Sequence, residues 1–89
     1  KIKDFSYMFS DVKNEINIDL SDWDMSSATN LSIMFSRDIL SEKTQNSLSK
    51  IGSQFGRVKD FWSMFGGVKN EITIDFSNWD MSSAVKLHN

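Results

Sequence analysis

Apolar residues recur along this chain in one fixed figure: an apolar residue, a gap of two, a second apolar residue, a gap of two, then Met-Phe. The figure runs Ile2, Phe5, Met8-Phe9, then Ala28, Leu31, Met34-Phe35, then Val58, Phe61, Met64-Phe65, and it restarts at Ala84 and Leu87. Positions i, i+3, i+6 and i+7 are the spacing of one helix face, so each figure predicts a short helix. Ser26 and Ser27 precede the second figure, and Ser82 and Ser83 the fourth, where a hydroxyl can accept from the free N–H groups of a first turn. After each complete figure comes a loop, at 10–14 or 66–70. Then Glu-Ile-Asn-Ile-Asp-Leu at 15–20 and Glu-Ile-Thr-Ile-Asp-Phe at 71–76 alternate strictly, which predicts two half-buried strands. Ile16, Ile18, Leu20, Ile72, Ile74 and Phe76 point inward in that reading, and Asn17, Asp19, Thr73 and Asp75 outward. Trp23 and Trp79 follow three residues later, placed to close the apolar interior where the chain bends back.

The figure repeats at steps of 26, 30 and 26 residues, and a shift of 56 lays 3–31 over 59–87 with 20 identities in 29 positions. This is an internal duplication, and its period is the first thing the fold must obey. The middle step is the irregular one, because 36–57 carries no second alternating segment. That region predicts a helix instead: Leu48, Ile51 and Phe55 lie at helical spacing, Ser41 stands at the start, and Gly56 suits a left-handed residue past the end. Gly52 inside it costs about 1 kcal/mol relative to Ala.

Written as Ile-Asp-Leu-Ser-x-Trp-Asp-Met-Ser-Ser-Ala-Thr-Asn-Leu-x-x-Met-Phe, the unit resembles the BspA-type leucine-rich repeats of bacterial surface proteins, also found in mycoplasma lipoproteins. Ser21, Trp23, Asp24, Ser26, Thr29, Asn30, Met34 and Phe35 carry the resemblance, with Ser77, Trp79, Asp80 and Ser82 in the second copy. It covers about three quarters of the chain and fails across 36–57. It implies an α/β solenoid, a leucine-rich-repeat-like array of short parallel strands and short helices with an irregular middle repeat. Bottom-up reasoning reaches the same expectation, since one strand and one short helix cannot bury their apolar faces alone. The expected organisation is a single repeat domain over 1–89, with units at about 2–27, 28–57 (irregular), 58–83 and a partial 84–89, forming a piece of a longer chain. Neither Lys1 nor Asn89 ends in a cap, so the repeat ends are open to self-association.

Composition narrows the chemistry. Seven Phe, three Trp and five Met supply core material, and a quarter of the residues are charged, which argues against disorder. No apolar run approaches the roughly 20 residues of a membrane helix. The chain has no cysteine and therefore no disulfide framework. Net charge is -2, with three Lys against six acids in 1–31 and four bases against two acids in 32–58. No clustered basic footprint for nucleic acid results.

Candidate chemistry is sparse. Asp19, Asp22 and Asp24 gather carboxylates around one turn, but no calcium-loop signature accompanies them; they solvate the turn instead. His88 is the only histidine and sits next to the end, so a Ser-His-Asp arrangement has nothing firm to rest on. No nucleophile motif or Gly-rich phosphate loop occurs. The expectation is no enzyme, no metal and no cofactor. The Met-Phe pairs and tryptophans recur as core positions, whereas Trp62 replaces Ser6 of the first copy beside an inward Phe61 and is the candidate aromatic for binding, with packing at a repeat junction as the alternative reading. Asn17, Asp19, Thr73 and Asp75 would form a polar, acidic outer face of the strands. The expected function is a module displayed on a bacterial cell surface or secreted, binding or adhering to a protein or glycan. The rival is a structural spacer or assembly subunit of a cell-surface complex with no small-molecule ligand.

Overall fold

The structure, a computed structural model, describes residues 2–87. Its organising feature is a row in which equivalent residues of successive copies lie side by side. Parallel bridges join Asp4 to Asn30, Asn30 to Asp60 and Asp60 to Lys86, following the 26, 30 and 26 steps of the sequence. Along this row every second N–H crosses to the next copy. Phe5, Tyr7, Phe9 and Asp11 donate to the carbonyls of Asn30, Ser32, Met34 and Ser36 at 2.8–3.1 Å. Leu31, Ile33, Phe35 and Arg37 donate likewise to Asp60, Trp62, Met64 and Gly66.

The intervening N–H groups close local turns, Met8 on Phe5, Ser10 on Tyr7, Met34 on Leu31 and Ser36 on Ile33. This is where the predicted short helices fail. A spacing of three fits a staircase of i to i+3 turns as well as a helix face, and the backbone makes the choice. Tyr7, Ile33 and Ser63 take φ of 63°, 59° and 51°, and Asp11, Arg37 and Gly67 take 58°, 66° and 70°. A left-handed residue breaks helical progress and turns the next N–H toward the neighbouring copy. Glycine at 67 meets that conformation without a Cβ penalty, whereas β-branched Ile33 adopts it because its neighbours' hydrogen bonds fix it there.

The expected α/β solenoid is not what forms. Among the described residues there is no strand; the row consists of isolated bridges, and the one continuous helical segment is α1 at Glu42–Ile51 followed by a 3-10 stretch at Gly52–Arg57. Ser41 caps α1, its hydroxyl accepting from Thr44 N–H at 3.2 Å. Leu48, Ile51 and Phe55 point into the core as their spacing predicts. Gly56 does not take the left-handed conformation expected of it, because the chain passes from α1 into the 3-10 stretch with Gly52 still right-handed at φ -60°. Gly52 has a different reason to be glycine: a Cβ there would lie 1.8 Å from Trp79 Cδ1.

The strands are missing because α1 and the 3-10 stretch stand between the two alternating segments, and their side chains take over the work of a neighbouring strand. A residue in a parallel ladder donates to the carbonyl before its opposite number and accepts from the N–H after it. The Thr44 hydroxyl does this around Asn17, donating to Ile16 C=O at 2.9 Å and accepting from Ile18 N–H at 2.8 Å. The Gln45 carboxamide does it around Ile72, donating to Glu71 C=O and accepting from Thr73 N–H. Gln54 does it around Asp24, donating to Trp23 C=O and accepting from Met25 N–H. Ser49 Oγ accepts from Asp75 N–H at 2.9 Å. Backbone pairing survives at the two edges of α1, in the Ile16 to Leu40 bridge before it and in the bond from Asp80 N–H to Gly52 C=O after it, at 2.9 Å.

Burial still follows the alternation. Ile16, Leu20 and Ile74 are buried, Ile18 and Ile72 half-buried, and Asn17, Asp19, Thr73 and Asp75 exposed. Phe76, expected inward, is 44% exposed. The Met-Phe figure builds the core: Phe9, Phe35 and Phe65 stack at 5.5 and 5.8 Å with nearly parallel rings. Trp23 and Trp79 lie half-buried against it, and the Trp79 indole donates to Leu48 C=O at 2.9 Å. The result measures 30 × 24 × 23 Å.

Candidate binding surfaces

The four outward positions of the alternating segments are exposed, but they do not form one sheet face. Asn17 and Asp19 lie on one side of α1 and Thr73 and Asp75 on the other, with exposed Glu42, Lys43, Asn46 and Lys50 on the helix. Asn17 Oδ1 accepts from Ser41 Oγ at 2.8 Å, and Thr73 Oγ1 lies 3.3 Å from Glu42 Oε2. Asp19 Oδ1 accepts from both the hydroxyl and the N–H of Ser21, at 2.6 and 2.9 Å. These bonds, with Lys50 and Lys43 nearby, hold its carboxyl below the ordinary carboxylate value. Asp75 is lowered in the same way by the N–H and hydroxyl of Ser77. The surface is therefore a strip of mixed charge, with acidic margins and lysines between them.

Trp62 is 44% exposed, with its N–H on Asp60 Oδ1 at 2.9 Å. It lines a shallow cleft of about 300 Å³ with Ser10, Asp11, Ile33 and Arg37. None of the other four predicted residues lines that cleft.

A larger cleft, about 470 Å³, was not anticipated. Ser26, Ser27, Ser53, Gly56, Arg57 and Asp80 line it. The two Asp-Met-Ser-Ser turns bring it together across the 3-10 stretch. Asp24 Oδ1 accepts from the hydroxyl and N–H of Ser26, and Asp80 Oδ1 from Ser82 N–H at 3.0 Å. The Ser82 hydroxyl and N–H lower the Asp80 carboxyl, so it presents a charge in the cleft that Arg57 also lines. The mouth thus offers hydroxyls, one cation and one anion on a fixed backbone. The recurrence of Asp-Met-Ser-Ser was visible in the sequence; that 52–57 would bridge its two copies was not.

Asp38 is the other residue that sequence reasoning missed. It is fully buried, Oδ1 accepts from Val12 N–H at 2.9 Å, and Oδ2 has no partner among the described residues. Burial raises its carboxyl above the ordinary value, outweighing the Val12 N–H; Asp11 adds to the rise and Lys69 opposes it. No group of three or more His, Cys, Asp or Glu side chains fit to hold a metal occurs among the described residues. Asp19 and Asp24 each turn back onto their own serines. His88 lies outside the described residues. No helix among the described residues is long and apolar enough to cross a membrane.

Compared with known proteins, the chain matches over residues 1–89 the family model described as Mycoplasma protein of unknown function, DUF285. Neither the curated proteins nor the solved structures gave a match.

Proposed function

We propose, from the premise that the chain belongs to this family of Mycoplasma proteins, that it is a non-catalytic binding module displayed at the cell surface and engaging a glycan or protein partner. The observation that carries the reading is the polar cleft between the two Asp-Met-Ser-Ser turns, where Ser26, Ser27, Ser53, Arg57 and Asp80 converge. Hydroxyl and charged groups on a rigid frame suit a hydroxyl-rich ligand, because each polar atom of such a ligand needs a partner on leaving water. The likeness of Ser21–Phe35 to the repeats of BspA-type surface proteins supports display outside the cell. It does so without the strand array those repeats imply.

A glycan and protein array probed with the 89-residue chain tests this, followed by Arg57→Ala and Ser53→Ala on any hit. Loss of at least tenfold in affinity, about 1.4 kcal/mol, is expected from Arg57→Ala. Binding that survives both substitutions but fails on Asp19→Lys or Asp75→Lys would move the site to the strip around α1. A structural role in a cell-surface assembly is the second reading, and the apolar ends of the molecule favour it.

A further inference from the structure

Nine of the ten large apolar side chains that reach solvent among the described residues belong to the first unit or to 58–87, among them Ile2, Tyr7 and Met8, and Phe76, Met81, Val85 and Leu87. Equivalent positions show why. Leu20 and Met25 are 0% and 1% exposed, yet Phe76 and Met81, 56 residues on, are 44% and 38% exposed. At the other end Met8 is 45% exposed, whereas Met34 and Met64, its counterparts, are 0% and 3%. The residue types barely change; what changes is whether another copy lies against them. Ile2, Phe5, Met8 and Trp23 line an apolar hollow of about 340 Å³ at one end, and Phe61, Phe65, Phe76, Met81 and Leu87 line one of about 200 Å³ at the other.

We propose that these two ends dock on each other, so that a second copy of this chain seats its Ile2–Met8 end against the Phe76–Met81–Leu87 end of the first. The contacts inside the molecule supply the template, since each copy already seats on the next through the Phe9, Phe35 and Phe65 stack and the parallel row. Charge selects the polarity. The bridged row begins with Asp4 and ends with Lys86. Head-to-tail association therefore brings the Asp4 end of one copy to the Lys86 end of the next, whereas head-to-head or tail-to-tail contact sets like charges together. A heterologous contact of this kind does not close on itself and builds open chains. The proposal is independent of the ligand reading above and stands or falls without it.

Sedimentation velocity on the 89-residue chain tests it, over about 1 µM to about 1 mM, where weak contacts are resolved. The parent is expected to pass beyond dimer as concentration rises. Met8→Lys blocks one end and Met81→Lys the other; each alone should stay monomeric to at least tenfold higher concentration, while an equimolar mixture should give a discrete 1:1 dimer. Circular dichroism checks that both fold, and Ile2→Lys and Leu87→Lys, at more exposed sites, repeat the pair if either does not. A parent that stays monomeric throughout, with its ends left to other segments or partners, would overturn the proposal. So would single variants that associate as well as the parent, or a mixture that fails to pair.

Discussion

In the row formed by 3–11, 29–37, 59–67 and 85–87, peptide groups of one copy bond peptide groups of the next. Across the molecule, where 16–25 and 72–81 flank 42–57, the same kinds of N–H and C=O groups are met by Thr44, Gln45, Ser49 and Gln54. Both regions stack copies at the repeat period, and in the second the alternating residues lie in and out as the sequence orders them, Phe76 excepted. They differ in what satisfies the backbone. The comparison teaches that a stacked repeat requires paired peptide groups at fixed spacing, and that a side chain with one donor and one acceptor meets the requirement as well as a strand does. The helix of the middle copy is thus an integral spacer, replacing a strand without opening the core.

Each region can be broken separately. The largest effect is expected in the backbone-paired row, where Phe35 is fully buried between Phe9 and Phe65. Phe35→Ala should cost about 4 kcal/mol, seen as a lower midpoint in urea unfolding. Next comes Gly52→Ala. Ordinary helix propensity would make it favourable, but the added Cβ collides with Trp79, and the indole must give up Leu48 C=O and its edge contact with Phe55 at 5.0 Å. A loss of about 3 kcal/mol follows, with a change in tryptophan emission.

Gln45→Met keeps the buried volume while orphaning Thr73 N–H and Glu71 C=O, at a cost of about 2 kcal/mol. An equal substitution at exposed Asn46 should leave stability within about 0.5 kcal/mol. The smallest change has the opposite sign. Asp38 binds its proton more tightly folded than unfolded, so its contribution is most favourable below the ordinary carboxylate value and is lost as pH rises through the raised one. Asp38→Asn keeps an acceptor for Val12 N–H and removes the buried charge. It should stabilise the protein by about 1 kcal/mol at neutral pH. The gap between variant and parent should close as pH falls, read by urea unfolding across the acidic range. Asp4, Asp19, Asp75 and Asp80 shift the other way. Their contribution, present above the ordinary value, fades as pH falls through their lowered values, in parent and variant alike.

Much of this molecule was legible before its structure. The 26–30–26 period set which residues lie side by side, and Leu48, Ile51 and Phe55 located the helix with its Ser41 cap. The inward and outward order of 16–20 held at every position, and that of 72–75 likewise. The turn staircase was not legible, because a three-residue apolar spacing is common to a helix face and to chained turns, and only left-handed φ at Tyr7, Ile33 and Ser63 separates them. Nor was the loss of both strands. The clue lay in α1 itself, where the inward stripe of Leu48 and Ile51 continues backward onto Thr44 and Gln45, polar residues that a packed face would not carry unless they had peptide groups to serve. Of the candidate site, the five predicted residues are all exposed. The polar cleft escaped notice because it forms between turns 56 residues apart that only the 3-10 stretch brings together.

The central claim is that side chains of α1 and of the 3-10 stretch stand in for a strand, and native-state hydrogen exchange tests it residue by residue. The amides of Ile18, Met25, Thr73 and Asp75 belong to no strand, yet they should exchange far more slowly than free peptide, on a par with Phe35 and Phe61. In Gln45→Met, Thr73 alone among the four should lose at least tenfold of its protection, about 1.4 kcal/mol. Thr73 exchanging at the free-peptide rate in the parent, or keeping its protection in the variant, would contradict the account.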